Sequence, residues 1–200
     1  MSCTTSNKQF NFLQHIMTIL KSNGRAGVVL PDNVLFEAGQ AGEGIRRRLL
    51  EQFNFHTLLR LPTGIFYKPG VKANVLFFDK KPAAKEPWTK TLWIYDLRTN
   101  NNFTLKTRPL VRQDLKDFIT VFQPGNFGKR KETDRFKKFP YSELMNRDKL
   151  NLDIFWLKDD SLENVDDLPP PDKIAAEIVE NLEAALEQFQ EVVKNLQEEN

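Results

Sequence analysis

Phe10, Leu13, Met17 and Leu20 recur at helical spacing near the start of the chain, with Ile16 and Ile19 widening the stripe and Asn23-Gly24 supplying a stop. The pattern predicts an amphipathic helix of about four turns. The compact apolar run 26–30 then ends at Pro31, which reads as a buried parallel strand. A second helix follows in EGIRRRLLEQF, where Ile45, Leu49, Leu50 and Phe53 share a face, and HTLLRLP reads as a second strand. Residues 73–78 form a third strand-like run. TLWIYDLR forms a fourth, with Trp93 and Tyr95 alternating against Leu92, Ile94 and Leu97. These last two are expected to pair as an antiparallel hairpin at a sheet edge, and QDLKDFITVF to form a short helix. The element order predicts an α/β fold.

Beyond residue 122 the pattern changes. NFGKRKETDRFKKF is basic and irregular, and LPPPD at 168–172 is a stiff punctuator where a boundary belongs. After it, Ile178, Leu182, Ala185, Phe189, Val192 and Leu196 make a heptad-like seam on a long amphipathic helix, broadened by Ile174, Val179, Leu186 and Val193. Such a helix either packs back on the body or docks on a partner, and its acidic flanks and Pro-rich hinge favour docking. The chain is thus divided into residues 1–111, a connector at 112–171 and a tail at 172–200.

A chain of 200 residues with 40% hydrophobic and 11% aromatic positions can bury a core. Its single cysteine, Cys3, excludes an internal disulfide. With only His15 and His56 beside it, no Cys/His zinc set can be assembled. The expected setting is reducing and cytoplasmic. The opening MSCTTSNKQF has no signal-like charged and apolar regions, and no run of about 18 apolar residues is present to cross a bilayer. The net charge of +2 conceals an asymmetry, because eight acids against two lysines leave residues 172–200 at −6 and the remainder at +8. A basic body suits an anionic ligand, and the acidic tail suits a protein partner. Lys129, Arg130, Lys131, Arg135, Lys137 and Lys138, interleaved with Phe127, Phe136 and Phe139, are candidates for DNA-backbone contact, although the same composition occurs in ordinary surface loops.

The chemistry concentrates in residues 61–78, LPTGIFYKPGVKANVLFF, where two adjacent rings on a Gly/Pro-rich loop lead directly into a strand. Asp32 and Asn33 end the first strand, where an α/β sheet places its ligand cleft; they line that cleft or cap a turn. The glycines at 39–44, GQAGEG, are separated from the preceding strand by PDNVLFEA and lack a phosphate-loop lysine, so they read as a flexible turn rather than a cofactor loop. No nucleotide fingerprint and no acidic-Pro-Pro-aromatic motif occurs in the 200 residues.

Taken together, TSNKQ, GRAGVVLPDNVLFE, HTLLRLPTGIFYKPGVKANVLFF, WIYDLRTN and LDIFWLKD resemble the modification subunit of type I restriction–modification systems. These are adenine-N6 DNA methyltransferases that use S-adenosylmethionine. The resemblance implies the second half of a class I methyltransferase-like doubly wound sheet with antiparallel terminal strands, followed by a C-terminal amphipathic helix. In that family the cofactor motif and the NPP[FY] motif lie upstream of the matching segment. The chain is therefore expected to be a C-terminal fragment that neither binds the cofactor tightly nor transfers methyl groups alone. Phe66, and after it Tyr67, become candidates to stack on a flipped adenine, or else Phe66 packs beneath the loop. Lys68 and Lys72 flank these rings and are candidates for phosphate contact. The family works with a specificity subunit, one per two modification subunits, and with restriction subunits for cleavage. Ile178, Leu182, Phe189 and Leu196 are then expected as anchors on the specificity subunit, and a fragment with exposed apolar surface is expected to self-associate. The competing readings are a non-catalytic interaction module and a DNA-binding scaffold.

Overall fold

The structure, a computed structural model, describes residues 3–67, 70–101, 103–158 and Val179. It divides into a unit over residues 1–158 and a second over 159–200. The boundary at 168–172 and the tail residues Ile178, Leu182, Phe189 and Leu196 lie outside the described residues, as does Lys68.

Helix α1 (Lys8–Ile19) starts at Asn7, whose side-chain oxygen accepts hydrogen bonds from the backbone N–H groups of Gln9 and Phe10. Strand β1 (Arg25–Pro31) is followed by the short α2 (Asn33–Phe36) and by α3 (Gln40–Gln52), which runs straight into β2 (Phe53–Leu61). Then come β3 (Ala73–Lys80), β4 (Thr91–Asp96), α4 (Lys116–Phe122), β5 (Phe136–Pro140) and α5 (Tyr141–Met145), with single 3-10 turns at Phe127–Lys129 and Asp148–Leu150. One five-stranded mixed sheet results, in the order β1-β3-β2-β4-β5.

Strand β3 runs antiparallel between β1 and β2, β4 lies parallel to β2, and β5 closes the edge antiparallel to β4. Two expectations are corrected here. The hairpin joins β2 to β3 through the ring-bearing loop, whereas β3 and β4 are not neighbours. Strand β1 is an antiparallel edge strand rather than a buried parallel one. Its residues alternate in exposure, with Val29 half-exposed and Leu30 buried. Small residues such as Ala26 and Gly27 made the run look uniformly apolar without saying how many faces are covered.

The sheet is covered on both sides. One core joins Phe10, Leu13 and Met17 of α1 and Ile45, Leu49 and Leu50 of α3 to Phe55, Leu58, Leu76 and Phe78 of the sheet. The other gathers Leu59, Leu61, Trp93, Tyr95 and Phe136 under Phe118 of α4. Tyr95 fixes that helix by donating from its hydroxyl to Asp117 Oδ2 at 2.7 Å. Residues 112–158 thus join the same body: Phe136 lies in one core, and Leu144, Leu150, Leu152 and Ile154 lie in the other.

The glycines at 39–44 are not a flexible turn, because residues 40–44 already coil into α3. Gly42 is needed there for close packing, since a Cβ would stand 2.6 Å from the Glu37 carbonyl oxygen and 3.2 Å from Phe10. No helix among the described residues is long and apolar enough to cross a membrane.

Candidate functional site

Because β1, β2 and β4 all run the same way, their carboxyl ends meet at one edge of the sheet. Three chain segments leave from it: Asp32 after β1, the loop at 62–72 after β2, and Arg98 after β4. This is where an α/β sheet offers a ligand cleft.

Asp32 is the hub. Its Oδ1 accepts from Asn74 Nδ2 at 2.6 Å, its Oδ2 accepts from Arg98 Nη1 at 2.7 Å, and its N–H donates to the Lys72 carbonyl. Its side chain makes no capping bond to α2, so the turn-cap reading does not hold for Asp32. Asn33 donates to Glu37 Oε2 at 2.9 Å, and Asn7 donates to the same oxygen at 2.7 Å. The TSN and PDN motifs, 26 residues apart in the chain, are thereby joined through one carboxylate.

A second layer of charge lies alongside. Arg60 of β2, fully buried, donates to Asp153 Oδ1 and to the Ile154 carbonyl, and Arg98 Nη2 stands 3.7 Å from the same Asp153 oxygen. The Phe155 ring lies against both guanidinium groups, 4.2 Å from Arg60 and 5.0 Å from Arg98. Asn33 Oδ1, Asn74 Oδ1 and Arg98 Nη2 are buried here without a hydrogen-bond partner, so the edge retains both accepting and donating capacity. Arg60, Asn74, Arg98, Asp153 and Phe155 escaped the reading of the sequence. The signal was a charge or amide interrupting an apolar strand, as in LLRLP and KANVLFF.

The loop is seated by Gly64, at φ +81°, where a Cβ would lie 1.8 Å from the Phe103 carbonyl oxygen. Ile65 and Phe66 are half-buried against the core of Leu59, Trp93 and Tyr95, whereas Tyr67 is 96% exposed. The loop therefore roots one ring and projects the next. Lys72 is exposed beside it.

The basic cluster at 129–138 does not form one patch. Arg130 is buried, donating to the carbonyls of Phe122 and His56 and to Thr57 Oγ1, and its guanidinium lies 4.4 Å from the Phe127 ring. It is withdrawn from the DNA-backbone candidates, as is Arg135, whose guanidinium bonds the carbonyls of Asp96 and Thr99. Lys137 and Lys138 are consecutive in β5 and so point to opposite faces. Lys131 and Lys138 line an 810 Å³ cavity with Trp88 and Trp93, at the opposite end of β4 from Arg98. Lys129 is exposed near it.

His56, at an irregularity in β2, belongs to that far end. It stacks on Phe127 with ring centroids 4.4 Å apart, accepts or donates through Nδ1 to Thr57 Oγ1, and places Nε2 3.6 Å from Asp79 Oδ1. Burial, reinforced by the Arg130 and Lys81 charges against the opposing pull of Asp79, lowers its pKa to about 4. As pH falls below the unfolded value of about 6.5, the unfolded chain takes up the proton and the folded one does not, so stability is lost as pH falls. Between pH 7 and pH 5 the advantage of the wild type over His56→Gln is expected to shrink by about 2 kcal/mol. Urea titrations of both proteins at the two pH values measure this, and parallel pH dependence would refute it.

The N-6 DNA methylase family matches residues 2–158. The methylase subunit of the type I restriction enzyme StySJI from Salmonella typhimurium is 40% identical over 96% of this chain, and that of EcoKI from Escherichia coli is 39% identical over 96%. The chain spans 42% of the length of each. Among solved structures, the EcoKI M protein superposes with a TM-score of 0.71 at 38% identity, covering 96% of this chain and 45% of that one. A structure described for complex assembly of a type I R-M system superposes at 0.66 and 27% identity over all of this chain and 42% of its own. Matched by the family model over residues 2–158 and sharing its fold with the EcoKI M protein over 96% of its length, the chain belongs to the N-6 DNA methylase family.

Proposed function

We propose that the chain is the target-base half of a type I modification subunit that transfers a methyl group from S-adenosylmethionine to adenine N6 in DNA, working in the cytoplasm. The observation that carries this is the placement of Phe66 and Tyr67 on a hairpin loop at the carboxyl edge of the parallel strands, beside the Asp32 hub. An adenine within a duplex hides its amino group and must be flipped out, and a ring rooted in the core at one end is suited to stack on the extruded base. Transfer from a sulfonium methyl donor depends mainly on positioning and dryness, to which a ring rooted in the core and a buried polar hub contribute.

The glycine-rich stretch at 39–44 gives the cofactor no cradle, being helical and closed off at Gly42 by Glu37 and Phe10, which supports assigning the methyl donor to the remaining length of the subunit. In this reading β1-β3-β2 is the end of a doubly wound sheet. The open edge of β1, beside exposed Val29 and Ile19, meets the rest of the subunit or a second copy of this chain. Lys68 and Lys72 touch phosphate, and the acidic segment 172–200 docks on the specificity subunit, with the restriction subunit joining for cleavage.

The test uses the full-length subunit with its specificity subunit and measures labelled methyl transfer into DNA. Methyl on adenine N6 is expected, and Phe66→Ala is expected to slow it about 10- to 100-fold, as loss of one stacking ring implies. Transfer to another base, or none, would overturn the reading.

A further inference from the structure

We propose that Phe155 is a second base-stacking platform at this edge, contacting a DNA base with the ring face turned away from Arg60 and Arg98. The inference rests on the DNA-methyltransferase reading and adds a residue to it. Phe155 is 61% exposed, whereas Arg60 beneath it is fully buried and the Arg98 side chain is only 12% exposed. A large ring is thus held outward over two buried positive charges.

The residues on either side of it are anchored. Asp153 and the Ile154 carbonyl hold Arg60, the Ile154 side chain is buried in the core, and Trp156 donates from Nε1 to the Asp134 carbonyl at 2.7 Å. The ring therefore pays little ordering entropy on binding, unlike an exposed ring on a free loop. An apolar side chain needed only for packing would turn inward like Leu152 and Ile154, which precede it in the chain and are buried. Arg60 and Arg98 are balanced by Asp153 and Asp32, so they fix the inner face of the ring rather than attract an anion, and the free outer face supplies stacking that tolerates any base. The location decides the ligand, because the Asp153 that holds Arg60 also faces Arg98, and Arg98 is the partner of Asp32 at the strand-end hub.

The experiment uses the full-length subunit with its specificity subunit, and reads duplex affinity together with fluorescence from 2-aminopurine placed at the target adenine or at its neighbours. Phe155→Ala is expected to weaken DNA binding about tenfold, Phe155→Trp to preserve it, and Phe155→Leu to behave like alanine. The melting temperature is expected to be the same for the leucine and tryptophan variants. A change in 2-aminopurine quenching at the target position identifies the flipped base as the partner, and a change at a neighbour identifies the adjoining base. Unchanged affinity in Phe155→Ala, equal affinity of leucine and tryptophan variants, or a response at neither position overturns the proposal. Binding does not require turnover, so a wild-type complex that binds DNA but does not methylate adenine would sink the enzymatic reading separately.

Discussion

Replacing Arg46 by methionine is expected to lower the unfolding free energy by about 4 kcal/mol, measured by urea denaturation. Arg46 sits in α3 with 2% exposure and donates to four backbone carbonyls: Val34 and Glu37 of the α2 region, and Lys149 and Leu150 more than a hundred residues away. Burial pulls its pKa below the usual arginine value, with Glu43 and Glu37 opposing that pull, and the group stays charged at neutral pH. Methionine keeps much of the volume but leaves these buried oxygens without donors, each costing about 1–3 kcal/mol less whatever water recovers. Lysine is expected to fail almost as badly, since one ammonium cannot reach two segments that the planar fork spans. Arg47, the next residue, gives the contrast. It pairs with Glu43 at 2.9 Å and Glu51 at 3.9 Å, each one turn away on a half-exposed face, and Arg47→Met is expected to cost less than about 0.5 kcal/mol. Equal losses for the two variants would refute the account.

The IRRR sequence shows why such a residue is hard to foresee. Ile45, Leu49 and Leu50 declare the buried face of α3 by their spacing, and an arginine beside them is ordinarily solvated. Only the later return of residues 149 and 150 makes position 46 interior, and that contact is invisible to local periodicity. The same limit explains the sheet. Alternation along β4 separates Leu92 and Ile94 from Trp93 and Tyr95 into the two cores, though Leu97 falls with the latter pair rather than the former, and alternation says nothing about which strands are neighbours. The insertion of β3 between β1 and β2 was therefore missed, while α1, the ring-bearing loop and the strand-end position of Asp32 and Asn33 were legible. FKKFP looked like a basic loop because its lysines dominate, although its aromatic ends already have the character of a strand. The buried Arg60 and Asn74 were in plain view as polar residues inside apolar runs. They are the positions where local consistency gives way to a site.

Asp153→Ala is expected to cost about 3–4 kcal/mol, because it strips the carboxylate from two buried arginines at once. Arg60 lies within β2 with no exposure, and its remaining acceptor is the Ile154 carbonyl, with Phe155 against its face. Arg98 keeps Asp32 but loses its second anion. Asp153→Asn, which retains an acceptor without the charge, is expected to fall between wild type and alanine. The decisive comparison is with Arg60→Met combined with Asp153→Ala. An uncompensated buried charge is worse than an apolar pair, so the double variant is expected to be more stable than Asp153→Ala alone. If the double variant is instead less stable than either single one, then Asp153 stabilises mainly by holding residues 150–156 against the sheet rather than by neutralising Arg60. The two outcomes also differ at the DNA edge. A charge-neutralising Asp153 leaves Phe155 seated in the double variant, whereas an anchoring one releases the ring, and the loss of DNA affinity would then follow the loss of stability.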